Sequence, residues 1–331
     1  MKDGPILRVE NLKAHFKTNY FGVHREVPAV DDISFDIGRN EIFGLAGESS
    51  SGKTTLMKTI AGLIAPPLEL IGGHAQFSFM PVQTNLYKAD PALLAKIRWR
   101  KLSYIMQGSM NVLNPLRKIR AIFSDFAAIH MPGPKDEFEE KVTSHLARLR
   151  LEPTVLDAYP HELSGGMRQR VTIALATICK PDFIIADEPT TALDVIVQKE
   201  VLGMIRSVQR EMGSSVLFVT HDMGVHASLT DRLGILYAGC LVETGRTKDV
   251  FDKPMHPYTR HLIHSLPRIG DTIQRTSLTG TPPNLANPPS GCRFHPRCPI
   301  ATSICSVEKP ILRQFSDGRR VACHAVTGDP A

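Results

Sequence analysis

GESSSGKTT, residues 47–55, carries the pattern G-x-x-x-x-G-K-T on Gly47, Gly52, Lys53 and Thr54. A loop of this composition, set between a strand and a helix, can surround phosphate groups with its backbone N–H groups. Lys53 then neutralises the phosphates, and the Thr54 hydroxyl can bind Mg²⁺. Outside that setting the same residues would be a glycine turn ahead of a helix that happens to hold a lysine. The flanks supply the setting. IFGLA just before the loop is a short apolar run, and LMKTIAGL just after it has helical spacing up to Gly62.

Outward from the loop, residues 6–46 alternate apolar stretches (ILRVENL, ISFDI, IFGLA) with polar breaks, which predicts strands joined by turns. From about residue 91 to 150 the pattern turns helical and charged, as in DEFEEKVTSHLARLRL, and reads as an inserted helical subdomain. Short apolar strands follow (FIIA, VLFVT, LGILYAG), with a helix placing Val201, Leu202, Ile205, Val208 and Met212 on one face before Gly213. That alternation predicts an α/β core around a largely parallel sheet. Beyond Pro267 the texture becomes TGTPPNLANPPSG, too rich in Pro, Gly and Asn for a packed element, so a linker is expected there.

The chain has 331 residues, 42% of them apolar and 22% charged, an ordinary globular composition with ample length for a core. Its net charge of +6 is spread over scattered Lys and Arg residues and assigns no nucleic-acid partner. MKDGPILRVENL is not built as a secretory signal, and no apolar run approaches the ~20 residues that span a bilayer. A cytosolic setting is therefore expected, where six cysteines point first to a metal or redox role rather than to disulfides.

Phe183, Ile184, Ile185 and Ala186 run as a strand into Asp187 and Glu188. Adjacent carboxylates at a strand end fit an Mg²⁺-coordinating aspartate followed by a glutamate that polarises the attacking water. His221 ends VLFVTH and could place an imidazole against the γ-phosphate. Gln107 follows SYIM and could contact Mg²⁺ or water.

LSGGMRQR at residues 163–170 supplies the wider frame. With GESSSGKTT, the Gln107 loop, IIADEPT, the TALD run at residues 191–194 and VTHD at residues 219–222, it resembles the nucleotide-binding subunit of ATP-binding cassette (ABC) transporters. The resemblance covers about residues 6–250, with the motifs in the family's order and spacing. It implies an ABC-type P-loop nucleotide-binding domain with a RecA-like core, an antiparallel β subdomain and a helical subdomain at about residues 91–175. It further implies that two such domains sandwich two ATP molecules. Gly47, Ser49, Ser50, Ser51, Gly52, Lys53, Thr54 and Thr55 would hold ATP. Ser164, Gly165 and Gly166 would bind the γ-phosphate held by the partner's loop. Thr54, Gln107 and Asp187 would serve Mg²⁺, Glu188 would be the general base, His221 the γ-phosphate switch, and Asp194 a link across the dimer. Phe16 fits the position of the adenine-stacking aromatic, with Tyr20 and Phe21 as competitors. Two positions depart from the family pattern. Ser50 stands where many members carry a further glycine, and would be strained if that position needs φ > 0. Gly108 follows Gln107 in place of a frequent acidic residue.

HPYTRHL at residues 256–262, then SLP, LTGTPPNL and PPSGCRFHPRCP, resembles the C-terminal extension of dipeptide and oligopeptide permease ATPases, over roughly residues 250–324. On this reading residues 1–260 form the nucleotide-binding domain, and residues 261–331 a linker and a small cysteine-rich metal module. Cys292, Cys298, Cys305 and Cys323 have the spacing C-x₅-C-x₆-C-x₁₇-C, able to hold Zn²⁺ or a [4Fe–4S] cluster. The resemblance favours the cluster. His295 and His324, beside them, fit a role next to the ligands or at the surface, with replacement of one cysteine as the alternative, while Cys179 and Cys240 read as buried structural residues. The implied function is an ATPase that energises import of peptides or related solutes from the cytoplasmic side of the membrane. Its partners would be a second ATPase subunit, related or identical, two permease subunits and, indirectly, an extracytoplasmic substrate-binding protein. Import of oligosaccharides, or a soluble cassette ATPase outside transport, are the alternatives.

Overall fold

Leu7, Val9, Leu12 and Ala14 are buried, an alternation that slips by one residue at Asn11. The slip is a β-bulge: Asn11 has φ +47°, and the pairing shifts register between Val9 and Leu12. This strand, β1 (Leu7–Tyr20), pairs antiparallel with β2 (Val23–Ile37) and, on its other side, with β4 (Leu68–Phe77). The result is the three-stranded sheet β2-β1-β4. Between β2 and β4, β3 (Ile42–Ala46) is buried at every residue, as a strand covered on both faces must be, and α1 (Lys53–Ile60) follows the phosphate-loop sequence.

The computed structural model describes residues 4–81, 85–106, 108, 112–131, 133–191, 193–266 and 280–326. It divides into two compact units, Met1–Lys88 with Val219–Ala331, and Ala89–Phe218.

The second unit contains α2 (Pro91–Ile97), β5 (Leu102–Ile105), α3 (Ile119–His130), α4 (Lys135–Arg148), α5 (Gly165–Thr177), β6 (Phe183–Asp187) and α6 (Val195–Met212). Its last strand, β7 (Ser215–Val219), runs to the unit boundary. The helix expected before Gly213 is α6, and Gly213 caps it with φ +66°. One expectation needs correction. The stretch from 91 to 150 is not helical throughout, because LSYI forms β5, paired in parallel with β6 from Leu102↔Phe183 to Ile105↔Ala186. Four residues are too few for periodicity to separate a buried strand from a piece of helix.

The first unit resumes with α7 (Met223–Leu229), β8 (Arg232–Tyr237), β9 (Cys240–Arg246), α8 (Thr247–Asp252) and α9 (Pro257–His264). It ends with α10 (Ser303–Val307), β10 (Arg313–Gln314) and β11 (Arg320–Val321). Its strands lie in the order β10-β11-β9-β8-β3. β3 and β8 are parallel, but β8, β9, β11 and β10 are successively antiparallel. The expected largely parallel sheet is thus mixed. Its reversal begins at Ala238 and Gly239, a two-residue turn with φ +47° and +80°, which can join only antiparallel strands.

The C-terminal segment completes this unit in two ways. Its β11 extends the sheet through Arg320↔Thr244 and Val321↔Glu243. Its Phe294 is 1% exposed, edge-on to Tyr237 at 5.1 Å between ring centroids and 5.5 Å from Tyr258, within a cluster that includes Ala46, Leu233, Ile235 and Val242. Replacing Phe294 with Ala removes the ring and leaves a cavity, so stability should fall by about 3–5 kcal/mol. Urea unfolding of the full chain measures this, and a loss below about 1 kcal/mol would show that the segment is not part of the core.

Candidate nucleotide-binding site

The loop leaves β3 at Gly47 and enters α1 after Gly52. A Cβ at Gly47 would lie 2.1 Å from the Leu236 carbonyl oxygen, and one at Gly52 would lie 2.2 Å from that of Ala29. Both positions also have positive φ, +153° and +101°, so glycine is required twice over. Ser50 has φ +64°, which bears out the strain expected of a serine at this position. Ser51 is buried; its N–H donates to the Glu48 carbonyl at 3.2 Å and its own carbonyl accepts from Gly239 N–H at 2.8 Å.

Lys53, 7% exposed, points its ammonium back along the loop. Its Nζ donates to the carbonyl oxygens of Gly47 at 2.8 Å and Glu48 at 2.7 Å, and lies 3.3 Å from Ser51 Oγ. A positive charge is thereby held inside a ring of backbone, in front of a helix N-terminus. Both features favour an anion. Thr54 and Thr55 stand half-buried in the first turn of α1, and Ser49 and Ser50 are exposed. Phe16 is half-buried on β1 opposite Val27 and Leu68, whereas Phe21 is 94% exposed. The side chain of Tyr20 lies outside the described residues.

Also in the first unit, His221 is exposed, and the next residue, Asp222, caps α7 by accepting from the N–H groups of Gly224 and Val225. Sequence reasoning passed over His226, whose fully buried ring lies 3.1 Å from the Thr220 carbonyl oxygen and so braces the backbone beside His221. Burial pushes its pKa down to about 4, so it is neutral at physiological pH.

In the second unit, β6 delivers Asp187 in a buried position, where the Tyr104 hydroxyl of β5 donates to Oδ2 at 3.2 Å. Burial, then the Asp187 charge, push the Tyr104 pKa well above the usual phenol range, so it stays a donor. Glu188 has φ +46°, a conformation costly for a non-glycine residue and concentrated at functional sites, and its Oε2 accepts from Thr191 Oγ1 at 3.0 Å. Ser164 caps α5 by accepting from Met167 N–H at 3.3 Å, with Gly165 and Gly166 in the first turn. A Cβ on Gly166 would meet Val197 Cγ1 at 2.7 Å. Asp194 caps α6, its Oδ1 accepting from Ile196 and Val197 at 3.1 and 3.0 Å. Gln107 lies outside the described residues.

Among the described residues, no group of three or more His, Cys, Asp or Glu side chains is placed to hold a metal ion, so the expected metal module is not shown. Cys292 and Cys298 pack against the Tyr237–Phe294 cluster, while Cys323 packs with Phe315 and Val321. Burial, with a smaller contribution from the neighbouring cysteines, raises the Cys292 pKa to about 11 and pushes Cys298 upward too. His295 Nδ1 and His324 Nε2 lie 3.0 and 2.9 Å from the backbone carbonyl oxygens of Cys292 and Glu308.

Against known families, residues 30–191 match the model for ABC transporters, and residues 242–305 match that for the oligopeptide/dipeptide transporter C-terminal region. A dipeptide transport ATP-binding protein of Caldanaerobacter subterraneus subsp. tengcongensis is 38% identical over 322 residues, covering 96% of each chain. A putative peptide import ATP-binding protein of Brucella ovis is 37% identical over 325 residues, covering 98% of each chain. Among solved structures, a dimeric ATP-binding cassette in a post-hydrolysis state bound to ADP and Pi aligns with a TM-score of 0.62 at 25% identity. That alignment covers 73% of this chain and 98% of the other.

The left-handed Ser50 is a direct test of the loop geometry. Ser50→Gly relieves a strain of about 1–2 kcal/mol, partly offset by the greater freedom of the unfolded chain, so a net gain of about 0.5–1 kcal/mol is expected. Thermal unfolding of the two proteins checks it, and a destabilised Ser50→Gly protein would contradict the loop conformation.

Proposed function

The chain belongs to the ABC transporter family, as an ATP-binding subunit of its dipeptide and oligopeptide import branch, and from that premise we propose how its residues divide the work. It is an ATPase. The loop at residues 47–55 binds the ATP phosphates through backbone N–H groups and Lys53. Thr54, Asp187 and Gln107 would be the donors for Mg²⁺, whose charge would help neutralise the phosphates. Glu188 takes a proton from the attacking water, and His221 meets the γ-phosphate. Phe16 stacks on adenine.

Ser164, Gly165 and Gly166 serve the ATP held by a partner cassette, and Asp194, which caps α6, links the two cassettes across the dimer. The partner is a second ATPase subunit, related or identical, and we assign Gln107 to sensing the two transmembrane permease subunits. Among the described residues no helix is long and apolar enough to cross a membrane, and we assign the spans to those permeases. We place the subunit on the cytoplasmic side, with an extracytoplasmic binding protein delivering peptide to the permeases.

The observation that carries the catalytic assignment is the end of β6, where a buried, Tyr104-bonded Asp187 is followed at once by Glu188 in a strained conformation. Glu188→Gln keeps the shape and removes the base. It should bind ATP as the unaltered chain does and hydrolyse it about 10²–10⁴-fold more slowly. Hydrolysis at the original rate would remove Glu188 from the mechanism.

The four C-terminal cysteines are proposed as donors for a [4Fe–4S] cluster, with Zn²⁺ as the alternative. Four free thiols in one unit, disfavouring one another's ionisation, are the donor chemistry such a centre uses, although their arrangement as described is not a coordination site. No step of hydrolysis passes through it. Anaerobically purified chain should be brown and contain iron and acid-labile sulfide in equal amounts. Zinc in their place would select the alternative, and protein free of both would overturn the proposal.

A further inference from the structure

Glu48 occupies a variable position in the phosphate-loop motif, yet the C-terminal segment grips both its side chain and its N–H. The Arg297 guanidinium meets its carboxylate in a fork, Nη1 to Oε2 at 2.8 Å and Nη2 to Oε1 at 3.1 Å. The Glu48 N–H donates to the Tyr258 hydroxyl oxygen at 2.8 Å. Its carbonyl accepts from Lys53 Nζ and from Ser51 N–H, at 2.7 and 3.2 Å.

The gripping groups are themselves fixed. The Arg297 side chain is 7% exposed, donates to the Tyr237 hydroxyl at 3.3 Å and lies over the Tyr237 ring. Tyr258 is fully buried in the first turn of α9, where its N–H donates to Nδ1 of the capping His256 at 3.1 Å. Phe294, three residues before Arg297, packs on both tyrosine rings. A bidentate pair held at both ends by a packed core has one geometry, and lysine in place of arginine cannot reproduce it.

We propose that Arg297 and Tyr258 are positioning residues for the nucleotide site: they hold Glu48 in place, and through its carbonyl they aim the Lys53 ammonium. The pair does a second thing as well. Glu48 puts a negative charge in a loop built for an anion, and Arg297 neutralises it. Loop placement and charge act on the phosphates before and during reaction alike, so the loss of either residue should appear in ATP binding rather than in turnover.

The inference rests on nucleotide binding by residues 47–55, and the experiment separates the two. The full chain is titrated with a fluorescent ATP analogue and Mg²⁺, and ATPase rates give KM and kcat. Lys53→Ala tests the site itself. Arg297→Lys keeps the charge and loses the fork, while Tyr258→Phe keeps the packed ring and loses only the oxygen, so both should melt within a few degrees of the unaltered chain. The expected result is that Kd and KM for ATP rise about tenfold in Arg297→Lys and about threefold in Tyr258→Phe, with kcat within about twofold. Glu48→Gln and Arg297→Gln should be non-additive, the double variant binding no more weakly than the worse single one. Unchanged Kd in folded Arg297→Lys and Tyr258→Phe would overturn the proposal, as would single effects that simply multiply. Unchanged Kd in Lys53→Ala would instead overturn the site assignment.

Discussion

The architecture of the first unit turns on the approach of one backbone to another. The loop that follows β3 passes so close to the carbonyls of Leu236 and Ala29 that only hydrogen atoms fit at Gly47 and Gly52. That wedge fixes where α1 begins, and hence where Lys53 stands. It also makes the loop an extension of its surroundings: Leu236 belongs to β8, the strand parallel to β3, and Gly239, in the turn after β8, donates to the Ser51 carbonyl. Displacing β8 would therefore displace the phosphate loop. Backbone held this way has one arrangement, which limits the ordering cost of binding at the loop.

The C-terminal segment reinforces the same strand from its far side. Phe294 packs on Tyr237 at the end of β8, β11 pairs with β9, and the Arg297–Glu48 pair joins the segment to the loop itself. Arg319 adds to this hold, donating to the Asp249 carbonyl at 3.4 Å and bonding the Lys253 carbonyl. The buried Glu243 carboxylate accepts the N–H groups of Met255 and His256 at 3.0 and 2.8 Å, which fixes the entry to α9. These are directional contacts in an interior where an unpaired polar group is costly, so they specify one arrangement rather than a family of loose ones.

What could be read from the amino acids follows from the range of the forces involved. Local chemistry was legible: the glycine loop, the helix ended by Gly213, and the strand running into Asp187 and Glu188 all depend on neighbours a few residues away. The ABC family and its peptide-import branch were legible too, because several motifs had to agree in order and spacing. The strand β5 was missed, since four apolar residues carry no period. The antiparallel edge was missed because β10 and β11 are two residues each and depend on β9, more than sixty residues earlier. Glu48 gave no signal either, as its partners Tyr258 and Arg297 lie 210 and 249 residues away. The cysteine spacing predicted a metal centre, but spacing says only which loops carry the thiols, and among the described residues no coordinating group of side chains is found.

The central claim is that residues 47–55 form a preset cradle for the phosphates of ATP. Amide hydrogen exchange on the full chain, with and without ATP and Mg²⁺, tests it most directly, because the backbone N–H groups are the ligands proposed. The account predicts that exchange slows on ATP addition in peptides spanning residues 47–55. Exchange there that is unchanged at saturating ATP, with protection appearing elsewhere, would contradict it.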